Sequence, residues 1–448
     1  MSDTPLVIDR LSVRLPPGAD RAFAVEDVSL ALKRGEILCV VGESGSGKTV
    51  TAQAVMGLLP ENLPRPAGRV LFEDQDLLEM GGRARRAIIG NRIAMIFQEP
   101  TAALNPVFRV GEQVAETFRL HTALGGGAIR KKVIDLFAEV RLPDPERLYY
   151  SYPHQLSGGQ CQRVMIATAL ALEPAVLIAD EPTTALDVTT QAQILKLMLD
   201  LRARRGTGIL FITHDFGVVA EIADRVAVMR HGRVVEQGSR TAVLDTPVEA
   251  YTRDLIAAVP RLEPRRARPN EREPVLRASA IAKTFTRRGL FGRGRHVAAV
   301  DRVDVSIRKG ETLGLVGESG SGKSVTAFSI IRLVQEPGRV ESGRVMFQGR
   351  NLLDLSEAQM RDVRGAGIGF VFQEPMAALN PVMRIGAHIE EALSVHGLAS
   401  GKAARERAIE LLRAVRIVDP DTRVDDYPHQ LSGGMRQRDR KSTRLNSS

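Results

Sequence analysis

Two stretches of nearly identical chemistry recur at a fixed distance: Gly42-Glu43-Ser44-Gly45-Ser46-Gly47-Lys48-Thr49 and Gly317-Glu318-Ser319-Gly320-Ser321-Gly322-Lys323-Ser324. Both fit G-x-x-x-x-G-K-[ST], a loop that cradles phosphate. Its glycines let the backbone close tightly, so that peptide N–H groups face phosphate oxygens. The helix that follows adds the partial positive charge of its N-terminus. Lys48 and Lys323 would reach the β- and γ-phosphates of a nucleotide, and the Thr49 and Ser324 hydroxyls would ligate Mg²⁺. One match arises by chance in about one chain in a hundred of this length. A second match at the same place in a repeat removes chance as a competitor.

Further residues of chemical interest stand at the ends of apolar runs. Arg92-Ile93-Ala94-Met95-Ile96-Phe97 is followed by Gln98, and Ala175-Val176-Leu177-Ile178-Ala179 by the acidic pair Asp180-Glu181. Gly208-Ile209-Leu210-Phe211-Ile212-Thr213 is followed by His214. In open α/β sheets, ligands bind at the carboxyl ends of parallel strands. Each residue also has a plain structural reading: a loop glutamine, an acidic pair capping a turn, a polar strand terminus. Ser157-Gly158-Gly159-Gln160 fits the S-x-x-Q capping box at a helix start, and a capped helix N-terminus is also an anion site.

Elements must hold these residues in place. Adding 275 to any position in residues 25–163 gives its counterpart in the second half, with no net insertion: Gly35 answers to Gly310, Gln98 to Gln373, Leu156 to Leu431. The chain therefore holds two copies of one phosphate-binding domain. Each opens with strand-like runs (residues 25–32 and 37–41 in the first), then the loop and its helix, then the strand ending at Gln98. Residues 107–150 change to helical spacing, with Val110, Val114 and Phe118, then Ile129, Val133, Leu136, Phe137 and Val140. An apolar helix (164–172), a strand, a helix with Ile194, Leu195, Leu197, Met198 and Leu201 inward, and the strand before His214 complete the first copy. The expected fold is α/β: two tandem P-loop domains, each a mixed or parallel sheet core with a helical subdomain, the second incomplete. The expected division is 1–258, a Pro/Arg-rich linker 259–275, a second copy 276–438 and a polar tail 439–448.

Composition bounds the rest. The 448 residues suffice for two or three full cores, and hydrophobic content is 44%. The longest nearly apolar run spans about nine residues, far short of the ~20 that cross a bilayer. No basic-then-apolar leader opens the chain, which points to the cytoplasm. Cys39 and Cys161 are the only cysteines, so neither a disulfide framework nor a cysteine metal site is implied. The net charge of +9 suits an anionic surface or nucleic acid, but also solvated arginine faces, the preferred reading. Absent Trp and 4% aromatics argue against stacking on single strands.

In this order, the P-loop, Gln98, Leu156-Ser157-Gly158-Gly159-Gln160, Asp180-Glu181, Asp187 and His214 resemble the ATP-binding-cassette (ABC) ATPases. Gln98-Glu99-Pro100 with Leu104-Asn105-Pro106, Tyr152-Pro153-His154-Gln155, and Tyr251-Thr252-Arg253-Asp254-Leu255-Ile256-Ala257-Ala258-Val259-Pro260 resemble the peptide/nickel importer ATPases, and two cassettes in one chain resemble the fused ATPases of peptide or glutathione importers. The resemblance implies ATP and Mg²⁺ as ligands. It makes Asp180 a holder of Mg²⁺, Glu181 the general base toward water, Gln98 a sensor of γ-phosphate and metal, and His214 a γ-phosphate contact. Asp187 joins the nucleotide site. The Ser157, Gly158 and Gly159 helix end closes over ATP on the partner cassette. Site one then pairs Lys48, Asp180, Glu181 and His214 with Ser432, Gly433 and Gly434, and site two pairs Lys323 and Gln373 with Ser157, Gly158 and Gly159. Gln373 and Ser324 would be the second site's metal contacts. An adenine-stacking aromatic is implied near each start: Phe285 serves in the second copy, where the first has Leu15. The implied partners are two transmembrane permease subunits and, through them, a periplasmic or extracellular solute-binding protein. The implied location is peripheral, on the cytoplasmic side of the inner membrane, with no nucleic acid. A soluble tandem-cassette ATPase acting on ribosomes or nucleic acid is the competing class, and a non-catalytic fragment a third.

After Arg438 the repeat stops. Where the first copy runs Val164-Met165-Ile166-Ala167, the second has Asp439-Arg440-Lys441-Ser442, and residues 164–258 have no counterpart. The expectation is a second sheet lacking two buried parallel strands and a second site without hydrolytic residues. The polar end reads as a frameshift or sequencing junction, with a real truncated domain as the alternative.

Overall fold

A computed structural model describes residues 3–17, 21–183, 186–259, 272–287, 295–318, 320–334, 340–372 and 379–431. The chain divides into two compact units, Met1–Pro264 and Arg265–Ser448.

The first unit begins with strands β1 (Leu6–Arg14), β2 (Phe23–Leu32) and β3 (Ile37–Val41), then helix α1 (Lys48–Met56), β4 (Ala67–Phe72), β5 (Gln75–Asp76), α2 (Gly82–Ile88) and β6 (Ile93–Ile96). A helical insert follows: α3 (Pro100–Ala103), α4 (Val110–His121), α5 (Gly126–Glu139) and α6 (Pro145–Tyr149). Then come α7 (Gly158–Leu170), β7 (Val176–Asp180), α8 (Val188–Arg205), β8 (Gly208–Ile212), α9 (Phe216–Ile222), β9 (Arg225–Arg230), β10 (Arg233–Ser239), α10 (Arg240–Asp245) and α11 (Ala250–Ala257).

Two sheets form. One is antiparallel in the order β2-β1-β4-β5; the other runs β10-β9-β3-β8-β7-β6, parallel except for β10. In the second sheet β3 lies between β8, with Ile37 opposite Ile209, and β9, with Leu38 opposite Arg225. Both faces of this sheet are covered, and for that reason its strands read as unbroken apolar runs rather than alternations. Ile37, Cys39, Val41, Ile96, Leu177, Ala179 and Phe211 face one core with Val114, Phe118, Val133 and Phe137 of the insert. Leu38, Val40, Ile93, Val176, Ile178 and Leu210 face the other, against β1, β2, β4 and α1. The period of two along each strand thus sorts its side chains into two cores.

The second unit contains β11 (Pro274–Arg287), β12 (Arg295–Arg308), α12 (Lys323–Ile330), β13 (Ser342–Phe347), β14 (Arg350–Asn351) and α13 (Glu357–Val363), then α14 (Ile385–Val395), α15 (Gly401–Ala414) and α16 (Pro420–Arg423). Its antiparallel sheet, β12-β11-β13-β14, repeats the first unit's β2-β1-β4-β5. β11 starts at Pro274, inside the segment read as linker, at a strand's first position where a proline is tolerated. Among the described residues no parallel sheet forms in this unit. The loss exceeds the two strands expected. Four of the six strands of the first unit's large sheet, three of them parallel, come from residues 176–239, which have no counterpart.

Candidate nucleotide site

The loop after β3 is shaped by two glycines. Gly42 has φ +150°, and a Cβ there would lie 2.2 Å from the Met229 carbonyl oxygen. Gly47 has φ +103°, and a Cβ would lie 2.6 Å from the Ala24 carbonyl oxygen. Any other residue would collide with backbone at both points. Lys48, the first residue of α1, is buried. Its Nζ donates to the carbonyls of Gly42 (2.8 Å) and Glu43 (2.9 Å) and to Ser46 Oγ (3.4 Å). Burial lowers its pKa, against the upward pull of the Glu181, Asp180 and Glu43 charges. The Thr49 hydroxyl donates to Asp180 Oδ1 at 3.3 Å.

Asp180 ends β7 and is 1% exposed. Burial pushes its carboxyl up to about 6. Its Oδ2 is buried without a hydrogen-bond partner, an oxygen that a hard cation would satisfy. Among the described residues no group of three or more His, Cys, Asp or Glu side chains is arranged to hold a metal. A lone carboxylate beside a hydroxyl suits Mg²⁺, which takes few protein ligands and fills its shell with phosphate oxygens and water.

Glu181, one residue past the strand, is left-handed at φ +47°, an uncommon and strained conformation for glutamate. Its amide donates to the Ile212 carbonyl at 2.9 Å, anchoring the turn to β8. Its carboxylate is held from both sides. Gln98 Nε2 donates to Oε2 at 3.1 Å, and His214 Nδ1 lies 3.1 Å from Oε1. That hydrogen bond raises the His214 pKa. The ends of β3, β6, β7 and β8 thus bring Lys48, Gln98, Asp180, Glu181 and His214 to one edge of the sheet.

The remaining candidates are placed separately. Ser157 caps α7, its Oγ accepting from Gln160 N (3.3 Å) while Gln160 Oε1 accepts from Ser157 N (3.0 Å), so the capping box forms. Gly158 and Gly159 are the first two residues of the helix, with open space where a Cβ would stand on Gly158. Asp187 caps α8 through Thr190 N (2.8 Å), which with the Thr189 hydroxyl lowers its pKa to about 2. In the second unit Lys323 Nζ donates to the Gly317 and Glu318 carbonyls, both at 2.6 Å, and to Ser321 Oγ at 3.2 Å, repeating the Lys48 pattern. Gly320 and Gly322 keep positive φ, and Ser324 follows in α12. Phe285 is partly exposed, with Lys283 Nζ 4.7 Å from its ring centre. Ser319, Gln373, Ser432, Gly433, Gly434 and the tail 439–448 lie outside the described residues.

Two participants carried no assigned role in the sequence. Gln162 is buried on α7 and donates to the Pro182 carbonyl at 2.7 Å, tying that helix to the segment after the acidic pair. Tyr251 touches the phosphate-binding loop itself, its hydroxyl oxygen 3.4 Å from Glu43 N. The motif around Tyr251 was the only signal, and it named no partner.

A family model described as "ABC transporter" matches residues 25–184 and 300–440. The chain belongs to the ABC transporter family, as an ATP-binding and ATP-hydrolysing subunit. It is 44% identical over 439 residues to the peptidoglycan transport ATP-binding protein YejF of Agrobacterium fabrum (strain C58), covering 97% of this chain and 78% of the relative. It is 44% identical over 471 aligned positions to the glutathione import ATP-binding protein GsiA of Escherichia coli (strain K12), covering 97% and 74%. Among solved structures, a dimeric ATP-binding cassette in a post-hydrolysis state with ADP and Pi covers 52% of this chain and 98% of its own, at 28% identity and a TM-score of 0.48. Among the described residues no helix is long and apolar enough to cross a membrane.

Proposed function

We propose that the first unit hydrolyses ATP at the cluster of Lys48, Thr49, Gln98, Asp180, Glu181 and His214, and that this drives import of peptides or related solutes through two separate permease subunits. The observation that carries the proposal is the double hold on Glu181, whose two carboxylate oxygens are fixed by Gln98 and His214 at the strand ends beside Lys48. Phosphoryl transfer asks mainly for positioning and charge stabilisation. Loop N–H groups and the Lys48 ammonium would bind the β- and γ-phosphates. Glu181 would take a proton from the water attacking the γ-phosphorus, while Gln98 and His214 keep its carboxylate in place to receive it. Asp180 and Thr49 would hold Mg²⁺, which when bound neutralises phosphate charge.

A cavity of about 1190 Å³ opens between the helical insert and the sheet, lined by Leu58, Phe97, Phe108, Leu120 and Met165 together with Glu112 and Arg119. Phe97 adjoins Gln98. A short amphipathic permease helix seated here would feel the γ-phosphate through that strand end. A solute-binding protein outside the membrane would act through the permease, with this chain on the cytoplasmic face. Glu181→Gln tests the assignment. It should leave ATP binding intact and slow turnover by about 10²–10⁴; unchanged turnover refutes the base.

A further inference from the structure

Beyond the large sheet, the chain folds back onto the phosphate-binding loop. Glu236 of β10 accepts hydrogen bonds from Val248 N (2.8 Å) and Glu249 N (3.2 Å), fixing the start of α11. Arg253 closes the same turn by donating to the carbonyls of Pro247 (3.1 Å) and Val248 (2.6 Å), and Thr252 is fully buried. Held in this way, α11 brings Tyr251 to the loop. The Tyr251 hydroxyl oxygen accepts from Glu43 N, and its ring lies 4.6 Å from the Arg230 guanidinium. Arg230 ends β9, and two residues on Gly232 N donates to the Ser46 carbonyl at 3.0 Å. The loop is therefore gripped by the β9–β10 turn and by α11.

The two ends of one peptide group are involved. Lys48 holds the carbonyl of Gly42 and Tyr251 holds the N–H of Glu43, and these belong to the same peptide plane. A cation on the carbonyl polarises the group and strengthens the opposite N–H as a donor. That peptide follows Gly42, whose conformation no other residue could share. The Lys48 ammonium has three protons, and its Nζ lies within hydrogen-bond distance of three loop oxygens. Bridging β- and γ-phosphate oxygens takes two of them away.

We propose that Tyr251 is a positioning residue for the first phosphate-binding loop: its hydroxyl oxygen keeps the peptide between Gly42 and Glu43 in place when Lys48 turns from that peptide's carbonyl to a bound phosphate. The inference rests on the reading of Lys48 as the phosphate contact. It makes α11, outside both sheets, part of what sets nucleotide affinity at this site.

The test uses the full chain carrying Lys323→Ala, so that binding reports the first loop. Calorimetric titration with Mg²⁺ and ATP should show Tyr251→Phe weakening affinity by about three- to tenfold. KM should rise in proportion, and kcat at saturating ATP should stay unchanged. Hydrogen exchange over residues 42–47 in the ATP-bound protein should quicken in the same variant. Tyr251→Ala, which also removes the ring from Arg230, should weaken binding at least as much. Equal affinity in Tyr251→Phe and its parent, or a fall in kcat at unchanged KM, overturns the proposal. Absence of ATP binding in the Lys323→Ala parent would instead overturn the role of Lys48, and the proposal with it.

Discussion

The two phosphate-binding loops share their sequence from glycine to lysine and make the same lysine contacts, yet they stand on different supports. Lys48 and Lys323 each donate to two loop carbonyls and a serine hydroxyl. Before Lys48 the chain arrives along β3, where Leu38, Val40 and Val41 are 0%, 2% and 0% exposed. Before Lys323 the matching Leu313, Leu315 and Val316 are 46%, 49% and 89% exposed, and residues 312–316 form no strand. The loop is local: glycines, a helix start and a lysine within reach of its own backbone suffice. The strand is not local, because each of its neighbours in the first unit comes from residues 208–230. The helical insert makes the same point from the other side. Ile385, Ile389, Leu393, Ala408, Leu411 and Leu412 bury one another within a short stretch, and α14 and α15 form in the second unit as α4 and α5 do in the first.

The sharpest way to break this comparison is to remove each lysine in turn. Lys48→Ala should lower ATP turnover by about 10²–10³, the effect of losing one charged donor at a developing phosphate charge. Lys323→Ala should leave turnover within about twofold. Equal losses would mean that the support under the loop is irrelevant. Next in size is stability. Leu38→Ala should cost about 2–5 kcal/mol in urea unfolding of the first unit, the price of a cavity in a closed core. Leu313→Ala, on a half-exposed residue, should fall within about 0.5 kcal/mol of the parent.

The smallest effect is a pH dependence at Asp180. Its folded pKa of about 6 lies above the unfolded carboxylate value of 3.8. Protonated Asp180 therefore favours the folded state below about pH 4, and that contribution fades as pH rises to about 6. Asp180→Asn should remove the slope, so that its stability relative to the parent grows across that window by up to about 3 kcal/mol and is flat above it. A parent and variant that run parallel from pH 4 to pH 7 would show that Asp180 is not buried as described.

What could be read in the sequence followed the same division between local and distant. The P-loop, the Ser157–Gln160 capping box and the apolar strands are patterns within a few residues, and in the first unit each forms. The order of strands in the large sheet is not such a pattern. Periodicity identifies the runs at residues 37–41 and 208–212 but does not say that they are neighbours. That is why the loss in the second copy came out as two parallel strands instead of three, with the antiparallel β10 besides. The left-handed turn at Glu181 was also unreadable, since the hydrogen bond that anchors it runs to Ile212, some thirty residues away on β8. Tyr251 sat inside a quoted motif, but its contact with Glu43 spans some 200 residues, beyond any local rule.

The position of β3 between β8 and β9 also sets a schedule. A ribosome adds about 5–20 residues per second, and about 170 residues separate Ile37 from Ile209. For roughly ten to thirty seconds of synthesis, then, the strand that carries the loop exists without either neighbour. Its apolar residues spend that interval as Leu315 and Val316 are in the second unit, facing water. A newly made chain thus keeps this apolar strand, next to the P-loop, unpaired through that interval. A chaperone that met this nascent chain would find its binding segment there.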